Sequence, residues 1–240
     1  HEAFGDIVSL MLNTTNADAK KSKPKVFALA DAIKKIGLGT LVDTRQMNLY
    51  DDVETLKALI KCDVVFGCMD SVDGRHLLNQ LSAFYLLPYF DLGVKLEANG
   101  FGGINKICGS VHYLQPCKSS LITRGVYTTE DLRAASQFRK NPEEFENLRK
   151  EAYIKNVNVN NPAVISVNMQ IASHAVNEFL NRIHPFKAEH PSSYAASTID
   201  ITEGYIINSG ESDFEQDAYL KKKSGRGDML PFIEMSELVA

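Results

Sequence analysis

The sequence has no C-x-x-C pair. Its four cysteines, Cys62, Cys68, Cys108 and Cys117, are scattered. That argues against zinc held by paired cysteines and reads as the reduced thiols of a cytoplasmic protein. Basic charge is not in excess: 26 Lys and Arg face 30 Asp and Glu, a net charge of −4. No basic field therefore points to nucleic acid. No apolar run approaches the roughly 20 residues of a membrane span, so no membrane association is expected. The G-x-G-x-x-G fingerprint, the Walker A loop and the G-x-S-x-G elbow are all missing. Their absence weighs against a complete dinucleotide site, a P-loop and a serine-hydrolase triad within these residues. The chain opens on His1 in place of methionine, so its start is expected not to be the natural one.

What is present is ordinary for a soluble globular protein: 44% hydrophobic and 23% charged residues in 240. Strand-like and helix-like stretches alternate through the first 94 residues. Residues 5–11 read as a strand. Residues 25–36 read as a helix, with Val26, Leu29, Ala30 and Ile33 at helical spacing and Gly37 and Gly39 as its stop. Residues 40–42 and 47–49 are strand-like, and residues 52–60 form a second amphipathic helix. A short apolar run, 64–66, predicts a buried strand, with a helix after it to Leu81. Residues 85–94 predict another buried strand. Such alternation implies parallel strands joined by helices. From Leu96 the pattern changes to glycines and alternating residues up to 115, an antiparallel ribbon. A charged helix-prone stretch follows at 128–150, an Asn-rich connection at 157–161, a long helix at 162–183, and two short strands within 192–210.

Three residues are candidates for chemistry. Asp70 closes the strand at 64–66, where open α/β sheets bind ligands; it either holds magnesium or a ribose or N-caps the next helix. Lys25 stands at a helix start that favours anions; it is either a point charge for a triphosphate or a solvated lysine. Cys117 follows Pro116 in a loop beside Lys118; it is either a nucleophile or an ordinary cysteine.

Several segments in order carry a resemblance: SKPKV (22–26), CDVVFGCMDSVDGRHLLNQL (62–81), YLLPYFDLGV (85–94), GGINKICGSVHYLQP (102–116) and PAVISVNMQIASHAVNEFL (162–180). Over about residues 18–180 the chain resembles the ThiF/MoeB/HesA superfamily, the adenylyltransferase relatives of ubiquitin-activating enzymes. GRGDMLPFIEMSEL (225–238) is similar to the end of some bacterial ThiF-type proteins. The resemblance implies an α/β fold with a Rossmann-like, mostly parallel sheet flanked by helices and an antiparallel ribbon extension. It divides the chain into an adenylation core at 1–116, a crossover segment at 117–161, and C-terminal elements at 162–240 completing the same domain. It implies ATP and magnesium as cofactors, a homodimer, and a ubiquitin-like or sulfur-carrier protein as partner, adenylated on its C-terminal glycine. By position, Lys25 matches the lysine on the ATP phosphates and Asp70 the magnesium aspartate. Arg75 and Asn79 match helix positions with structural roles. Cys117 is the thiol nearest the region where some relatives form a thioester.

The sequence also departs from that pattern. A glycine-rich strand–turn–helix is missing, and the acidic strand end with its N-L-x-R segment would fall between Met11 and Leu12. The leading expectation is that these pieces are omitted from the chain. The alternative is a catalytically inactive scaffold or dimerisation module. The segment PCKSSLITRGVY (116–127) lacks the zinc half-site of many relatives.

Overall fold

A computed structural model describes residues 21–98, 103–141 and 165–227. The expected strand at 5–11, the second half of the stretch at 128–150, the connection at 157–161 and the start of the helix at 162 lie outside those residues.

The first helix, α1 (Lys25–Ile36), follows Pro24 and ends on Gly37, whose φ of 78° is the left-handed cap glycine tolerates. Ala28 and Ala30 are its buried residues, while Leu29 of the apolar spacing is exposed. The strands expected at 40–42 and 47–49 do not form: residues 37–52 are turns and irregular backbone. Among the described residues no strand pairs with them, and Leu41 is left 98% exposed. Helix α2 (Val53–Leu59) is capped by Asp52, whose carboxylate accepts the Glu54 N–H.

Strand β1 (Val65–Gly67) and β2 (Tyr89–Ala98) are parallel, joined through α3 (Val72–Tyr85). Strands β3 (Ile104–Leu114), β4 (Ala196–Asp200) and β5 (Tyr205–Ser209) then add on in sequence, each antiparallel to the last. The sheet order is β1-β2-β3-β4-β5. The α/β architecture and the antiparallel extension match the sequence-based reading. Among the described residues, however, the parallel part is one pairing and the antiparallel part three. Strands linked by short turns pair antiparallel, as β4 and β5 do across four residues that include Gly204 at φ 77°, whereas β3 and β4 are joined through the segment that carries the helices at Thr129–Lys140 and Ile165–Ile183.

The sheet is covered on both faces. Alternation along the strands turns Val65, Tyr89 and Leu114 toward α3, where they pack with Leu77, Leu78, Leu81 and Leu121. It turns Phe90, Val111 and Ile199 toward α5 (Ile165–Ile183), where they pack with Ile171 and Ala175. A Cβ on Gly109 would lie 2.3 Å from Ile171 Cδ1, so glycine there lets α5 settle close against β3. The 12-residue α4 (Thr129–Lys140) begins with a Thr128–Asp131 capping box and has no fully buried residue. The short α6 (Ala218–Lys223) closes the described chain against α3.

Candidate active site

The parallel strands β1 and β2 point their carboxyl ends the same way, and four residues, Cys68 to Ser71, turn from β1 into α3. This is the place where open α/β sheets take ligands. Ser71 is the N-cap of α3: its Oγ accepts the Gly74 N–H at 3.2 Å. The capping alternative for Asp70 is thereby set aside. Asp70 is exposed at the tip of the turn. Gly74 keeps the turn tight, because a Cβ there would lie 2.5 Å from Met69 Cε and 2.8 Å from Ser71 Oγ.

The first turn of α3 is tied down on two sides. Inward, Arg75 Nε donates to Asp91 Oδ1 at 3.0 Å and Nη2 donates to Asp91 Oδ2. Asp91 is fully buried on β2 and also accepts from the Tyr89 hydroxyl at 2.7 Å. Burial works against the Arg75 charge, but the Asp91 hydrogen bond and charge more than offset it and raise its pKa. Burial, with the Asp91 charge, pushes the Tyr89 phenol well up, so it remains a donor. Outward, Arg139 Nε of α4 donates to Asp73 Oδ2 at 2.9 Å, and its guanidinium lies 4.0 Å from the Tyr50 ring centre.

His112 stands opposite Asp91 across the β2–β3 pairing and is 8% exposed. Burial, and then the Arg124 charge, lower its pKa to about 4, against the pull of Asp91. Its Nδ1 has no hydrogen-bond partner among the described residues. Asn79 accepts the Leu121 N–H at 2.9 Å, a structural contact as expected for it.

Of the expected site residues, Cys117 is not brought to the Asp70 edge. Lys25 is exposed at the first position of α1, a helix that shares no extensive packing with the other described elements. Cys117 lies beyond the end of β3. Register pairs that end, Leu114, with Tyr89 at the start of β2, so Cys117 sits at the opposite sheet edge from Asp70. It is exposed, in the left-handed region at φ 63°, with its N–H donating to Ser224 Oγ and its carbonyl accepting from Gln216. The thiol on the Asp70 edge is Cys68, and burial, helped by the Asp91 charge, raises its pKa, which disfavours the thiolate.

Sequence reasoning missed Asp91, Asp73 and Arg139. The signal for Asp91 was there: it is the lone acid in an otherwise apolar strand stretch, YLLPYFDLGV. Asp73 and Arg139 are 66 residues apart and gave none.

Among the described residues no group of three or more His, Cys, Asp or Glu gathers to hold a metal ion. Magnesium does not need one. It commonly takes one or two carboxylates, with phosphate oxygens and water completing its shell. An exposed Asp70 relieved of capping duty fits that mode.

Comparison with known proteins bears on the fold and the family. No curated protein matches the chain. Among solved structures, E. coli MccB with AMPCPP and MccA is similar at a TM-score of 0.56 and 13% identity, over 83% of this chain and 51% of that one. MccB with ATP gives 0.56 and 12% over 83% and 50%, and MccB with MccA-N7isoASN gives 0.58 and 12% over 83% and 52%. The chain thus spans about half the length of the MccB chains it matches. That likeness establishes the fold. The ThiF family matches residues 13–204, most of the chain, and the chain belongs to that family.

Proposed function

We propose that this chain is the adenylating core of an enzyme that transfers AMP from ATP to the C-terminal carboxylate of a ubiquitin-like protein, sulfur carrier or peptide. The observation that carries the reading is Asp70: an exposed carboxylate at the carboxyl edge of the parallel strands, with the helix cap supplied by its neighbour Ser71. Membership of the ThiF family and a fold like that of MccB, solved with ATP and with MccA, support it.

In the proposed reaction an acceptor carboxylate oxygen attacks the α-phosphorus of ATP. The bond from that phosphorus to the bridging oxygen breaks, pyrophosphate leaves, and an acyl adenylate forms. Asp70 is the residue that would hold magnesium, which when bound offsets charge on the phosphate oxygens. Lys25 supplies a cation toward the same phosphates from the start of α1. Thioester transfer to Cys117 is not part of this proposal, because the thiol and Asp70 stand at opposite sheet edges. A homodimer is part of it. Met169, Val176, Leu180 and Ile183 leave an exposed apolar stripe on the outer side of α5, suited to a second copy.

ATP–pyrophosphate exchange tests the reading, using the full chain with carrier proteins and short peptides ending in glycine. Exchange is expected, and Asp70→Ala and Lys25→Ala should each reduce it severely. No exchange and no ATP binding, with both variants behaving like the wild type, would leave an inactive scaffold as the reading.

A further inference from the structure

The turn that carries Asp70 is four residues long and ends in the first turn of α3, so any rotation of that first turn moves the carboxylate. One side of it is anchored in the sheet by Arg75 and Asp91. The other side is anchored outside the sheet. Asp73, only 6% exposed, takes the Gly74 N–H on Oδ1 at 3.0 Å and Arg139 Nε on Oδ2 at 2.9 Å. Arg139 belongs to the last turn of α4 and stacks over Tyr50, a buried ring from the stretch between α1 and α2. Helix α4 has no fully buried residue of its own. This ion pair ties it to α3 and is three-quarters or more shielded on both partners. A charge-assisted hydrogen bond is roughly twice as strong as a neutral one, and shielding spares it the screening that reduces exposed surface pairs to about 0–1 kcal/mol.

We infer that Asp73 and Arg139 are positioning residues for Asp70, coupling the placement of α4 to the binding of magnesium-ATP. The inference rests on the reading of Asp70 as the magnesium residue. Asp73 does not touch the ligand. It fixes the angle at which the Cys68–Ser71 turn leaves α3, and Arg139 fixes Asp73. Outer partners that orient a metal-binding carboxylate typically matter by about 10- to 100-fold in metal affinity. Anything that displaces α4, an acceptor protein included, then alters the site through the Asp73–Arg139 salt bridge.

Calorimetric titration of the full chain tests this, with magnesium-ATP and separately with ATP in excess EDTA. Arg139→Gln is expected to weaken magnesium-ATP binding about 10-fold and to leave metal-free ATP binding unchanged. Arg139→Lys should restore part of the loss. In an Asp70→Ala background Arg139→Gln should cost nothing further, because the two substitutions act through one group. Asp73→Asn, nearly isosteric, repeats the test if Arg139→Gln fails to fold, with thermal denaturation as the check. Equal losses with and without magnesium, or additive losses in the Asp70→Ala background, would overturn the inference. If Asp70→Ala weakens binding and Arg139→Gln and Asp73→Asn do not, the coupling alone fails. A wild-type chain that binds no magnesium-ATP overturns the proposed function and this inference together.

Discussion

Arg75 and Asp91 form a two-point fork in which a guanidinium at the start of α3 grips a carboxylate with no solvent exposure on β2. Removing one partner strands the other. Arg75→Ala takes the guanidinium from the buried Asp91 carboxyl and leaves the Tyr89 hydroxyl as its side-chain hydrogen-bond donor among the described residues, at an expected cost of about 3–5 kcal/mol. An apolar pair of similar volume, Arg75→Met with Asp91→Leu, should recover most of that stability while losing the anchor beneath the Asp70 turn. Urea denaturation of the single and double variants checks it. A double variant as unstable as Arg75→Ala would contradict the stranded-charge account.

Arg124 stitches the segment after Cys117 to the sheet. Its side chain has no exposure and donates to Ser119 Oγ, the Ala195 and Tyr113 carbonyls and Glu211 Oε2, all within 2.7–2.9 Å. Three separate segments converge on one planar group. Lysine has neither the fork nor the number of directed donors. Arg124→Lys and Arg124→Ala should therefore both cost several kcal/mol, about 3–5 for alanine because Glu211 loses its cationic partner and keeps only the Ser119 N–H among the described residues. Chemical denaturation measures both, and a lysine variant as stable as wild type would show that charge alone suffices there.

Those two arginines mark where the sequence ran out. Local signals were enough for α1, α2, α3 and α5, while the short α6 was not expected. Gly37 ended α1, Asp52 opened α2, and the apolar spacing of Val167, Ile171 and Ala175 laid α5 on the sheet. The alternation in residues 104–114 gave the ribbon strand. Residues 40–42 and 47–49 misled because β-prone side chains form a strand only where another strand pairs with them. Asp70 was placed at the correct edge by its position after a short apolar run. Its freedom from capping depended on Ser71 taking the Gly74 N–H, a choice between neighbours that composition does not make. The Asp73–Arg139 pair and the Arg124 staple join residues tens of positions apart, and such pairs leave no periodic trace.

His112 gives the fold a dependence on acid. Its pKa is about 4 when folded and near 6.5 when exposed, so between those values the unfolded chain binds more protons. Stability is therefore full above pH 6.5 and falls as pH drops toward 4. The difference sets an upper scale of about 3 kcal/mol. The charged groups facing it act in both directions: Arg124 and Arg75 hold it neutral and Asp91 favours its proton. Denaturant unfolding at pH 7 and pH 5 should show the loss in the wild type and a flatter response in His112→Gln. An unchanged slope in that variant would assign the acid sensitivity to other groups.

Gly74→Ala separates stability from site geometry. Alanine is favoured over glycine by up to about 1 kcal/mol in a helix, the full value belonging to its interior rather than to this first turn. Against that, the new Cβ would meet Met69 Cε at 2.5 Å and Ser71 Oγ at 2.8 Å. The methionine end can swing away. The serine oxygen cannot without loosening its bond to the Gly74 N–H, and losing a cap of that kind costs about 1 kcal/mol. The two effects nearly cancel, so the melting temperature should hardly move. The turn bearing Asp70 must still shift, and magnesium-ATP affinity should fall while metal-free ATP binding does not. Calorimetry alongside thermal denaturation reads both quantities on one sample. A variant with wild-type magnesium-ATP affinity would mean that the close packing at Gly74 serves the fold and leaves Asp70 unaffected.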